Sequence, residues 1–275
     1  MTKIAIIDGD VLCHQACRPR WEKKARMMGG TRVIHLDANG KPIPVEYTEE
    51  DDAEYLEFAW KMFQKDLNRM VEELYCTEYL MAIKGENNFR DLMYPNYKMN
   101  RHHDPSKMNK FVPILRTRAA EAGLAIPAHG MEADDMLRIW AEDCRHHNTE
   151  FVICSIDKDL LCIPGTHYRM RTKELVDMTP IESARFFYEQ LLKGDPTDNI
   201  PGIPGVGDVG ARKKLAGLST EEDFQEVVVS EYMTAYGDAW RNYLLSNGKM
   251  LYLLDSPMDS FRISHWEFVK FLESK

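Results

Sequence analysis

Two short stretches of this chain share one design. Lys3 to Ile7 is apolar and mostly β-branched after its first residue, and it runs into Asp8-Gly9-Asp10. Phe151 to Ile156 is equally apolar and runs into Asp157-Lys158-Asp159. An unbroken apolar run of this length reads as a strand buried on both faces, as in a parallel sheet. Open α/β sheets bind ligands just beyond the carboxyl ends of such strands. One acid at that place is a turn or a helix cap as readily as a ligand, and Asp10 is open to that reading. The repeat is harder to set aside, because two parallel strands can bring Asp8 and Asp157 to one edge. Tyr79 to Ile83 is a third buried strand, with a polar outlet from Lys84 to Arg90. These runs predict an α/β fold around a mainly parallel sheet.

Further acids gather in two places. Met131-Glu132-Ala133-Asp134-Asp135 opens a helix that should run to about His146. Helical spacing puts Glu132 and Asp135 on one face and turns Asp134 elsewhere. Acids in a first turn also serve the helix dipole alone. The second place is Gly194 to Lys214, where Asp195 and Asp198 precede a glycine-rich turn and the basic run Arg212-Lys213-Lys214. Pooled, Asp8, Glu132, Asp134, Asp135, Asp157, Asp159, Asp195 and Asp198 would repel one another strongly unless cations lay among them. Hard oxygen donors suit Mg²⁺ or Mn²⁺. Two such ions about 4 Å apart serve phosphodiester hydrolysis by activating water and stabilising the leaving oxygen. No nucleotide P-loop, cysteine nucleophile with a partnered histidine, or zinc pattern is present.

The net charge of −9 counts against a nucleic-acid binder when taken alone. Its distribution matters more, since clustered acids can be offset by bound cations. Bases gather elsewhere, at Arg18, Arg20, Lys23, Lys24 and Arg26, then Arg90, Lys98, Arg101, Lys107, Lys110, Arg116 and Arg118. Any one such run is also ordinary solvated surface. No apolar run reaches the ~20 residues of a membrane span. The six cysteines form no CxxC pair, so buried free thiols in a reducing, intracellular (cytoplasmic) setting are expected.

Residues 31–47 read as a hairpin around Asp37 to Lys41. Thr48 should cap a long amphipathic helix reaching about Tyr75. Tyr94 to Arg101 alternates aromatics with Lys and Arg, a pattern suited to base stacking through Tyr97 and to phosphate contact. Residues 102–110 are polar, and Phe111 to Ala122 is a helix. This segment arches over a site or simply connects two elements. Tyr168 to Met170 and Leu175 to Met178 read as a short β excursion, followed by a helix from Ile181 to Leu192. Ile200 to Lys214 reads as a helix–hairpin–helix. Gly202, Gly205 and Gly207 would let a phosphate backbone approach closely, without base readout.

Five pieces together carry a resemblance: IDGD at 7–10, YPNYKMNR at 94–101, EADD at 132–135, SIDKD at 155–159 and GDPTDNIPGIPGVG at 194–207. They resemble the flap endonuclease / 5′-nuclease superfamily, and look closest to bacteriophage 5′→3′ exonucleases and the 5′-nuclease domain of bacterial DNA polymerase I. The resemblance implies a PIN-like core at 1–192, with a helical arch at about 90–128. It implies a helix–hairpin–helix on DNA within 193–275, whose remaining helices pack back on the core. Asp8, Glu132, Asp134 and Asp157 would serve a first ion, and Asp159, Asp195 and Asp198 a second, with Asp135 nearby. Lys98 and Arg101 would contact the scissile phosphate, and the turn at Ile200 to Val206 would hold K⁺. The implied function is metal-dependent 5′→3′ exonuclease and flap-endonuclease cleavage of duplex or branched DNA and RNA–DNA hybrids, in replication or primer removal. A monomer in a bacterium or phage-infected host is expected, with a single-strand-binding protein or polymerase as candidate partner. The family usually places an aspartate in the loop before Phe89-Arg90. Here that loop is Ile83-Lys84-Gly85-Glu86-Asn87-Asn88, leaving Glu86 or Lys84 in its place. A branched-DNA binder with impaired catalysis is the alternative that this departure supports.

Overall fold

The computed structural model describes residues 2–17, 48–99 and 109–274. The hairpin expected at 31–47, the bases from Arg18 to Arg26, Arg101, Lys107 and the crown of the expected arch lie outside the described residues.

β1 (Lys3–Asp8) leads directly into α1 (Gly9–Ala16), which Asp8 caps. Thr48 caps α2 (Glu49–Glu73) in a capping box with Asp51. β2 (Glu78–Lys84) and the short α3 (Phe89–Met93) follow, then α4 (Phe111–Glu121) and β3 (Ile126–Ala128). α5 (Ala133–His146) precedes β4 (Glu150–Ser155). A 3₁₀ turn at Asp159–Cys162 leads to the hairpin of β5 (Gly165–Arg169) and β6 (Glu174–Met178). The chain ends with α6 (Pro180–Lys193), α7 (Asp208–Lys214), α8 (Glu221–Tyr236), α9 (Trp240–Leu251) and α10 (Glu267–Glu273). The strands and helices expected within the described residues are mostly found close to their expected ends; β5 begins at Gly165 rather than Tyr168, and of the helix–hairpin–helix read at Ile200 to Lys214 only one helix, Asp208–Lys214, stands within that stretch. The three-residue β3 and the one-turn α3 are too short to show periodicity, and the sequence did not signal them.

The sheet has the order β3-β2-β1-β4-β5-β6. Only the β5–β6 pair is antiparallel. β1 and β4 are direct neighbours, with Ile7 beside Cys154, so their carboxyl ends open side by side. Alternation along the strands splits the core between the two faces. Ala5, Ile7, Met81 and Ile83 join α1, α2 and α4 on one face, with Phe63 and Leu115 fully enclosed. Ile6, Ala82 and Ile153 join α5, α6, α8 and α9 on the other. Phe224, Val228, Tyr232 and Leu244 belong to that second cluster and have no solvent exposure. Full burial of such side chains stabilises by ~1.5–3 kcal/mol each. The C-terminal helices are therefore part of the core.

The six cysteines are free thiols, and Cys154 and Cys162 are buried as expected. Among the described residues no helix is long and apolar enough to cross a membrane.

The turn between α6 and α7 depends on two glycines packed backbone to backbone. Gly194 has φ 72° and Gly202 has φ 60°, both in the left-handed region. A Cβ on Gly202 would lie 2.2 Å from the Gly194 nitrogen and 2.3 Å from the Lys193 carbonyl carbon. Gly202 is thus needed for the turn itself and is buried, which corrects the expectation that it faces a DNA backbone. Gly205 and Gly207 are exposed and have open space where a side chain would stand. Gly202→Ala should destabilise the protein by roughly 3–5 kcal/mol, read as a lower midpoint in urea unfolding, because strain and overpacking act together. Gly205→Ala meets no clash, only the cost of its φ of 78°, and should lose less.

Candidate metal-dependent active site

The outlets of β1 and β4 are tied together by Ser155. Its hydroxyl donates to Asp8 Oδ2 at 2.8 Å and accepts the Asp157 backbone N–H at 3.0 Å. Asp8 also accepts the Val11 N–H at 3.4 Å, which couples the acid to the first turn of α1. Asp157 accepts the Asp159 N–H at 2.8 Å, and Asp159 accepts from Gln190 of α6 at 3.0 Å. Asp195 sits in a small turn closed by reciprocal backbone bonds with Ile200, and its carboxylate accepts the Thr197 N–H at 2.8 Å. Glu132 is the N-cap of α5, and Asp134 lies in the first turn.

Asp8, Glu132, Asp134, Asp157, Asp159, Asp195 and Asp198 all line one cleft of about 780 Å³, together with Tyr97 and Lys98. Burial, opposed by the Ser155 hydrogen bond and reinforced by Asp10, pushes the Asp8 carboxyl up to about 6. Burial, followed by the charges of Asp8, Glu132 and Asp157, holds Asp134 well above the usual carboxylate range. Burial and then Asp157 and Asp195 raise Asp159 to about 6. These groups ionise at a cost that nearby cations would remove. The all-oxygen donor set suits hard divalent ions. Among the described residues no group of three or more Asp, Glu, His or Cys side chains is drawn close enough to hold an ion as it stands.

Lys98 reaches into the acids. Its ammonium contacts Glu132 Oε1 and lies 3.7 Å from Asp198 Oδ2. Its backbone has φ 58° and donates to the Asp198 carbonyl at 3.0 Å. Left-handed backbone at a non-glycine residue is strained and is found at functional sites. Tyr97 is buried, and its hydroxyl bridges Glu132 Oε2 at 3.0 Å and Asp198 Oδ2 at 3.4 Å. The expectation that Tyr97 stacks on bases is corrected: its ring is packed in the core, and its polar end braces two acids.

Asp135 and Asp134 exchange the places assigned by simple helical spacing. Asp135 has no solvent exposure and does not line the cleft. Arg90, equally enclosed, binds its two oxygens at 2.6 and 2.8 Å. Asp135 also accepts the N–H groups of Glu132 at 2.9 Å and Leu254 at 3.0 Å. With its lone pairs spent in this way, Asp135 is a structural anchor, which corrects its assignment to the metal site. Arg90 likewise leaves the basic surface assigned to it. It donates to the Met250 and Tyr252 carbonyls at 3.0 and 2.7 Å, so it joins α3, α5, the end of α9 and the segment after it.

Other bases are also paired. Arg116 meets Asp10 at 2.6 Å, Arg118 meets Glu57 at 2.6 Å, and Lys110 contacts Asp52. In α7, Arg212 lies 3.7 Å from Glu189 and Lys214 pairs with Glu231, while Lys213 is exposed. In the loop that lacks an aspartate, both Lys84 and Glu86 line the cleft. Asn88 of the same loop donates to Glu132 Oε1 at 3.2 Å. Ser155, Gln190 and Asn88 were not singled out from the sequence. Ser155 lies within the SIDKD run; the other two carry no local signal.

A mainly parallel sheet whose strand outlets crowd acids into a cleft beside a lysine is an α/β site suited to hard divalent cations, and the comparisons specify the family. The 5′-3′ exonuclease N-terminal resolvase-like domain family matches residues 47–189, more than half of the chain, and the protein belongs to that family. DNA polymerase I of Bacillus caldotenax is 31% identical over 178 residues, 58% of this chain and 20% of that protein. DNA polymerase I of Mycobacterium leprae is 27% identical over 201 residues, 65% of this chain and 22% of that one. The chain thus spans about a fifth of the length of these polymerases. Flap endonuclease Xni of Pseudoalteromonas translucida is 26% identical over 204 residues, covering 70% of this chain and 76% of that one. Among solved structures, the bacteriophage T5 protein co-crystallised with metal ions aligns with a TM-score of 0.55 at 16% identity. That alignment covers 92% of this chain and 89% of the T5 chain. The T5 flap endonuclease in a complex with DNA and metal ions aligns at 0.51 and 13% identity, over 90% and 99%. These alignments establish the PIN-like fold.

Two outcomes test the roles separated here. Arg90→Ala leaves Asp135 buried and uncompensated and should cost about 3–5 kcal/mol of unfolding free energy. Asp134→Asn relieves the crowding of carboxylates and should raise the unfolding free energy in EDTA by on the order of 1 kcal/mol, read as a higher melting temperature.

Proposed function

We propose that this protein is a metal-dependent 5′-nuclease that hydrolyses phosphodiesters near the 5′ ends of duplex or branched DNA and of RNA–DNA hybrids. The observation that carries this reading is the convergence of seven of the eight pooled acids, from four separate places in the chain, on the cleft that holds Lys98. Family membership and the similarity to a flap endonuclease support it.

Asp8, Glu132, Asp134 and Asp157 would hold a first Mg²⁺ or Mn²⁺, and Asp159, Asp195 and Asp198 a second. Bound there, the ions would supply an activated water and neutralise the leaving oxygen. Ser155 keeps Asp8 and Asp157 in register with each other. Tyr97 and Asn88 fix the Glu132 carboxylate, so little rearrangement is left for the moment of reaction. Lys98 would meet the scissile phosphate and stabilise the charge that develops on it. Arg101 is assigned the same phosphate on the strength of the family resemblance. The exposed backbone at Gly205 and Gly207, with Lys213 behind it, would rest on phosphates without reading bases. A K⁺ ion in that turn would neighbour Gly202, whose carbonyl accepts from Tyr236. Glu86, at the mouth of the cleft, stands where the family aspartate is missing. The protein would act as a monomer in replication or primer removal, beside a polymerase or a single-strand-binding protein.

Incubation with a 5′-end-labelled flap substrate tests this reading. Cleavage in Mg²⁺ that stops in EDTA is expected; binding without cleavage under both conditions would favour an impaired branched-DNA binder. Asp157→Asn should abolish cleavage and spare DNA affinity in a gel-shift assay, whereas retained turnover would refute the two-ion assignment.

A further inference from the structure

Glu132 and Asp198 come from parts of the chain 66 positions apart, and one ammonium lies between them. Lys98 Nζ contacts Glu132 Oε1 and lies 3.7 Å from Asp198 Oδ2. The other Glu132 oxygen and the same Asp198 oxygen take the Tyr97 hydroxyl. Asn88 adds a further donor on Glu132 Oε1. The three side chains are only 25%, 19% and 14% exposed for Lys98, Glu132 and Asp198, so water screens the contact poorly. Underneath, the Tyr97 ring lies 4.7 Å from the ammonium and offers it a cation–π contact. The Lys98 backbone is held separately by its N–H bond to the Asp198 carbonyl at 3.0 Å. The side chain can therefore swing while its Cα stays in place.

We propose that Lys98 is a built-in counter-cation of this site: it neutralises Glu132 and Asp198 before divalent ions arrive and is displaced from them when ions bind. This rests on the metal reading given above. A divalent ion bound through Glu132 Oε1 or Asp198 Oδ2 would share its oxygen with the ammonium, and two cations on one carboxylate oxygen repel. The exchange has a consequence for order. Ion binding frees the lysine, and the freed ammonium lies next to the place where a phosphate would enter. Loading of the cleft and readiness of Lys98 toward substrate are then one linked equilibrium, and each must change the other by the same factor.

The linkage can be read without turnover. In the wild-type protein without DNA, acylation of Lys98 by an amine-reactive reagent, followed by peptide mass spectrometry, should rise about tenfold on going from EDTA to Mg²⁺. The exposed Lys213 serves as the internal reference and should not change. By calorimetry, Lys98→Met should bind Mn²⁺ about tenfold more tightly than the wild type, and Lys98→Arg, which keeps a cation there, should bind as the wild type does. Unchanged acylation of Lys98, or equal or weaker Mn²⁺ binding by Lys98→Met, overturns the proposal while leaving a metal site in place. Absence of Mn²⁺ binding in both wild type and Lys98→Met refutes the metal reading itself, and the proposal falls with it.

Discussion

The Arg90–Asp135 pair is the constraint on which the active cleft depends. Both side chains are fully enclosed, and each is bonded to backbone as well as to the other. Removing two charges from water is costly, and only complete pairing makes it tolerable. Here the pairing is bidentate and is completed by the Glu132 and Leu254 N–H groups and the Met250 and Tyr252 carbonyls. The result fixes the start of α5. Once Asp135 is held inward, Asp134 is turned into the cleft and Glu132 becomes the cap that faces Lys98. The same pair also holds the segment after α9 against the wall of the cleft.

The cleft is built against electrostatics and local backbone preference, and the surrounding fold supplies the restraint. Ten acids line it, and three of them, Asp8, Asp134 and Asp159, are displaced upward in pKa, chiefly by burial. Asn87, Lys98 and Asn199 all have positive φ, and they lie in the turns around these acids. Two of those turns are joined directly. Asn199 donates to the Asn96 carbonyl at 2.8 Å, and the Lys98 N–H reaches the Asp198 carbonyl. Strain of this kind persists only where neighbouring structure over-determines it. The neutralisation of Glu132 and Asp198 by Lys98 is one part of that restraint.

The turn after α6 divides labour among its glycines. Gly194 and Gly202 are used internally, each pressed against the other's backbone, while Gly205 and Gly207 remain open to solvent. A glycine-rich motif read along the chain looks uniform. In the fold, half of it builds the turn and half is presented outward.

The sequence by itself determined every strand but the three-residue β3, the ends at which acids emerge, and which acids could be pooled. Those features follow from local apolar runs and from the position of each acid relative to them, which are properties of neighbouring residues. Tertiary structure alone decided between Asp134 and Asp135. Both stand in the same first helical turn, and the choice was made by Arg90, 45 residues away, which no local pattern links to either. Tyr97 is the same kind of case: an aromatic beside a lysine suits a stacking surface equally well, until packing buries its ring and leaves its hydroxyl two carboxylates to bridge. Ser155 had to stand beside Asp8 before its hydroxyl could matter, and that adjacency comes from the pairing of β1 with β4. Long-range pairing assigns each side chain its partner, and partners decide whether a charged group anchors the fold or remains free to act.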